Sequence, residues 1–69
     1  MGKYAYVMDL RKDTGCLVAE SDLRLEVPQI MMLMLENNAD SCDVYETNNS
    51  KEIEDWTFVT TFGGLMTSF

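Results

Sequence analysis

The side chains able to do chemistry in this sequence are carboxylates and two thiols. Glu52, Glu54 and Asp55 stand almost adjacent, and Asp40 lies close to Asp43. Paired carboxylates can carry acid and base steps or hold hard cations. The Asp40 to Asp43 stretch lacks the ligand spacing and central glycine of a calcium loop. The chain contains no histidine, which removes the commonest general base and metal ligand. Neither Cys16 nor Cys42 has an imidazole to convert it into a nucleophile, and no serine can join a histidine-based triad. Two cysteines without histidine also cannot complete a structural zinc site of the usual type within one chain. Gly63-Gly64 is followed by no lysine or Ser/Thr-bearing helix of the kind that cradles phosphate. An enzyme reading would rest on Glu52, Glu54 and Asp55 alone, so the expectation is a protein that is not an enzyme, with no catalytic, cofactor-binding or metal residues.

If the carboxylates do not catalyse, their layout points to recognition. The net charge is −7, from 12 acidic and 5 basic residues. Up to Leu25, the acids Asp9, Asp13, Glu20 and Asp22 balance Lys3, Arg11, Lys12 and Arg24. From Glu26 onward, Glu26, Glu36, Asp40, Asp43, Glu46, Glu52, Glu54 and Asp55 face Lys51 alone, so the excess charge lies in the second part of the chain. Such a field repels nucleic acid and membrane surfaces and steers basic partners toward it. The expected partner is a basic protein surface, and the candidate contact residues are Glu36, Asp40, Asp43, Glu46, Glu52, Glu54 and Asp55. Small, strongly acidic, catalytically bare chains include nucleic-acid mimics, many made by bacteriophages, that occlude a nucleic-acid-binding host or defence protein. This likeness is one of class and not of sequence.

These residues must be positioned by a small scaffold. A chain of 69 residues and 7.9 kDa supports one domain, expected over residues 1–64 with an apolar tail at 65–69. Tyr4 to Leu10 alternates with period two, setting Tyr4, Tyr6, Met8 and Leu10 against Ala5, Val7 and Asp9, and predicts a strand. Arg11 to Gly15 carries turn residues, with Asp13 able to bond its own backbone, so Cys16 to Glu20 should return antiparallel. Ser21 to Val27 reads as an extended connection. Pro28 suits a first helical turn, and a helix is predicted from there to about Ala39. Cys42 to Thr47 and Trp56 to Phe62 read as strands flanking a polar loop. In the last strand, strict alternation places Trp56, Phe58, Thr60 and Phe62 on one side. The order β-β-α-β-β predicts an α+β domain, with one helix packed on an antiparallel four-stranded sheet.

The helix carries a surplus. At 100° per residue, Ile30, Met34, Met31, Leu35, Ala39 and Met32 span an apolar arc of roughly 200°, while Leu33 falls among Gln29, Glu36 and Asp40. A helix on one sheet needs only about 100°. Ile30, Met31, Met34 and Leu35 are the expected core residues. The surplus makes Met31, Met32, Leu33 and Leu35 candidates for self-association, because methionine-rich faces pack adaptably. A homodimeric structural or regulatory subunit is therefore the alternative function. The stretch MGKYAYVMDLRKD lacks the apolar run of a signal peptide. That predicts a reducing cytoplasm and two free, buried or half-buried thiols, with a Cys16–Cys42 bridge as the alternative.

Overall fold

Alternation in Tyr4–Leu10 builds β1, one of the two inner strands of the sheet. In the computed structural model, which describes residues 2–10 and 15–63, it is followed by β2 (Cys16–Ser21), α1 (Val27–Glu36), β3 (Ala39–Glu46), a single 3₁₀ turn (Ile53–Asp55) and β4 (Thr57–Gly63). The four strands form one antiparallel sheet in the order β2-β1-β3-β4, and α1 packs on one face of it, an α+β fold. The turn anticipated at Asp13 and the tail at 65–69 lie outside the described residues.

On the helix side, register aligns Tyr6 with Ala19 and Val44, and Met8 with Leu17 and Cys42. Tyr6, Met8, Cys42 and Val44 are fully buried there, with Ile30, Met34 and Ala39 closing the core. Tyr6 also organises the polar link between β2 and the helix. Its hydroxyl lies 2.8 Å from Ser21 Oγ, donates to the Leu23 carbonyl and accepts the Leu25 N–H at 3.0 Å. One phenol thus satisfies the backbone of a connection that would otherwise bury unpaired groups. Thr47, the one buried polar residue among those described, fastens the end of β3 to the N-terminal segment through Oγ1 to the Gly2 carbonyl at 2.8 Å.

The helix begins where Glu26 N–H donates to Gln29 Oε1 at 2.8 Å, half of a capping box, with Pro28 in the first turn. It ends earlier than its hydrophobic pattern predicts. Asn38 adopts φ 55°, a left-handed conformation that Asn tolerates and that stops a helix. Ala39 therefore opens β3 as a core residue instead of closing the helix. The helix is also rotated relative to expectation. It buries Ile30 and Met34 and half-buries Leu33 against the core, a stripe at i, i+3 and i+4. Met31 and Leu35, expected in the core, are 45% and 59% exposed. The apolar arc is wider than the sheet can cover, and the side containing Leu33 faces inward.

A β-bulge corrects the reading of β4. Val44 pairs with Thr60 but Tyr45 pairs with Phe58, leaving Val59 as an extra residue. An extra residue reverses the side-chain alternation. Phe62 stays on the helix side opposite Cys42, whereas Phe58 joins Tyr45 on the other face.

The two cysteines end on opposite faces. Cys42 is buried under the helix, while Cys16, expected to be at least half-buried, is exposed opposite Asp9. They sit on β2 and β3 with β1 between them, about 9.5 Å apart from strand spacing alone. That separation exceeds the reach of a disulfide, and both thiols are free.

Candidate binding face

The sheet face away from α1 is formed by the second set of each alternating strand, and among the described residues no second layer of helix or strand packs on it. Ala5 is buried between its register partners Glu20 and Tyr45. The larger side chains around it stay open, with Val18 44% and Phe58 55% exposed.

One end of this face is aromatic. Tyr45 lies 5.9 Å from Trp56 between ring centroids and 5.7 Å from Phe58, the latter pair edge to face, a favoured arrangement of ring quadrupoles. The hairpin loop before β4 locks Trp56 in place. Asn48 and Asn49 both take positive φ, at 55° and 60°, while Ser50 N–H donates to the Thr47 carbonyl at 3.0 Å, a turn of type I′ character. Asn48 Nδ2 then donates to the Asp55 carbonyl at 2.8 Å, Ser50 Oγ to Asp55 Oδ2 at 2.7 Å, and Trp56 Nε1 to the Ser50 carbonyl at 2.8 Å. The polar stretch that reads as a plain loop is thus a hydrogen-bonded platform for the indole.

The other end is acidic. Asp9 accepts from Cys16 Sγ and from Ser41 Oγ, each at 3.2 Å, and Asp43 accepts from Thr61 Oγ1. The bond to Asp9, slight desolvation and the charges of Asp9 and Asp43 raise the Cys16 thiol above its ordinary value of 9.0. Burial, helped by Asp43, pushes Cys42 up to about 11. Both thiols are held in the protonated form at neutral pH, the opposite of nucleophile activation.

The seven acids singled out from charge layout do not form a single row. Asp43 lies on the open face, Glu46 shares the helix side with its register partner Tyr4, and Asp40 is the extra residue of a bulge opposite Asp9 and Leu10. Glu36 ends the helix, and Glu52, Glu54 and Asp55 project from the hairpin loop. Six of them share the hairpin from Ala39 to Gly63, which holds Asp40, Asp43, Glu46, Glu52, Glu54 and Asp55 against Lys51. Of the self-association candidates, Met31, Met32 and Leu35 are exposed on the helix and Leu33 is half-buried.

Asp9 and the aromatic trio escaped the sequence reading as members of a site. The alternation of β1 already placed Asp9 opposite Tyr6 and Met8. The trio depended on the Val59 bulge, and no glycine or turn residue marks that position. Among the described residues no group of three or more His, Cys, Asp or Glu side chains could hold a metal ion, and no helix is long and apolar enough to cross a membrane. Comparison with protein-family models, curated proteins and solved structures yields no match to this chain.

Proposed function

We propose that this chain is a non-enzymatic acidic binding module that applies its uncovered sheet face and acidic β3–β4 hairpin to a basic protein surface. The observation that carries this reading is the aromatic end of that face, half-buried Tyr45 and Trp56 with exposed Phe58, on the same sheet face as Asp9 and Asp43 in a chain of net charge −7. Rigid aromatics provide contact area and cation–π partners for lysine and arginine, while the carboxylates supply steering and charge complementarity. Basic surfaces of that kind are those with which proteins hold nucleic-acid phosphates. The finer reading is an inhibitor that mimics nucleic acid and occludes such a surface on a host or defence protein, encoded by a phage and acting in the cytoplasm. The test is affinity capture from host lysate with the native chain and with Asp40→Lys/Asp43→Lys. The native chain should retain nucleic-acid-binding proteins at about 0.05 M salt and release them near 0.5 M, where screening shortens to a few ångströms. Undiminished capture by the double variant would contradict the reading.

The exposed apolar side chains of the helix, Val27, Met31, Met32 and Leu35, favour a second reading as a homodimer joined through α1. Met32→Glu should then break the assembly, and an unchanged solution mass would count against it.

A further inference from the structure

We infer that the free edge of β4 accepts an extended segment of the partner, one in which apolar residues alternate with lysine or arginine. This rests on the acidic-module reading above and specifies the geometry by which the partner is held. β4 is an edge strand, so among the described residues one side of its backbone lacks a neighbouring strand. Among the described residues it is also the one helix or strand without an ionisable side chain, since Thr57–Gly63 reads TFVTTFG. Proteins usually protect such edges with charges or proline, and β4 has neither. The opposite edge, β2, carries Glu20.

The surroundings of this edge are two-sided in the way a guest strand is two-sided. On the helix side lies a groove of about 320 Å³ lined by Leu25, Val27, Ile30 and Phe62 together with Arg24 and Glu26. On the open side Phe58 is exposed beside Tyr45 and Trp56, with Asp43 one strand further in. A strand added to β4 would turn every second residue toward the helix side, where Phe62 borders the groove, and the intervening ones toward the face of the aromatics and acids. Strand addition draws affinity from backbone hydrogen bonds and specificity from pockets for alternate side chains. Apolar residues fit the first set and cations the second, because aromatic faces and carboxylates both attract positive charge. A second copy of this chain is the less suited occupant, because it would bring two acidic hairpins together.

The probe is a capped synthetic peptide of about seven residues, alternating valine with lysine and arginine. Two controls accompany it: one of the same composition with the valines grouped together, and one alternating valine with glutamate. Trp56, the single tryptophan, reports binding by fluorescence, and amide hydrogen exchange locates it. The alternating basic peptide should bind at least tenfold more tightly than either control and slow exchange in β4 but not in β2. Val27→Asn, which makes the groove polar without changing its charge, should weaken binding several-fold with the far-UV spectrum unchanged. Equal binding by the grouped peptide, or protection confined to elements other than β4, would overturn the edge assignment and leave the acidic-module reading standing. Protection of β4 in the free chain together with a doubled solution mass would overturn it in favour of a second copy. Capture of basic proteins that compete with no strand peptide would also defeat this inference alone, whereas failure of every basic ligand would defeat both.

Discussion

The two faces of the sheet are built from the same strands and buried to different degrees. Beneath the helix, Tyr6, Met8, Cys42 and Val44 are completely buried, while across the sheet Val18 and Phe58 remain about half-exposed. Alternation sorts the residues, and α1 decides which set becomes core. A domain of this size has little stability to spare. Its apolar residues on the open side therefore contribute less to holding the fold, and they are the ones proposed for recognition.

This contrast is easiest to break at the core. Met8→Ala removes a fully buried side chain and should cost about 2 to 5 kcal/mol, enough to unfold much of the population near room temperature in a urea titration. Phe58→Ala on the other face should cost no more than about 1 kcal/mol, mostly its pairing with Tyr45. Comparable losses at both positions would erase the distinction. Tyr6→Phe keeps the ring but strands the Leu25 N–H, and a loss of about 1 to 2 kcal/mol is expected from thermal unfolding.

The cysteines sharpen the same comparison through pH. Cys42 keeps its proton in the folded chain up to about 11, while the unfolded thiol releases it near 9.0. Between those values the folded state binds more protons than the unfolded one, so stability falls as pH rises through this window. Cys42→Ala should flatten that alkaline slope relative to the native chain, whatever its effect at neutral pH. Cys16, on the open face, tests the acidic end. Asp9→Ala removes both the acceptor and the negative charge that hold the thiol proton and should accelerate alkylation at pH 8 by roughly threefold or more. An unchanged rate would show that Asp9 does not control this thiol.

Much of this architecture is legible in the residues, because periodicity reports which side chains share a face. Tyr4, Tyr6, Met8 and Leu10 separate from Ala5, Val7 and Asp9 by simple counting, and the order of elements follows from Gly15, Pro28 and the Asn37-Asn38 pair. The departures come from interactions that periodicity does not encode. Asn38 stops the helix through its backbone angle while the apolar pattern runs on to Ala39. The inward turn of Leu33 depends on how the helix docks, since an arc of that width allows more than one orientation. The extra residue Val59 moves Trp56 and Phe58 to the face of Tyr45, although β-branched valine looks like ordinary strand. The charge surplus was visible from composition, but its partition among loop, bulge and both faces required the register. Seven carboxylates close in sequence consequently do not make one surface.

The most direct test of the account is oxidative footprinting of the chain alone and bound to the basic partner it captures. Tyr45, Trp56 and Phe58 report the open face, and Met31 and Met32 report the outer side of the helix. The account predicts that the three aromatics become protected on binding while the two methionines react as before. Protection of Met31 and Met32 with unchanged aromatics would contradict it and transfer the binding role to the helix.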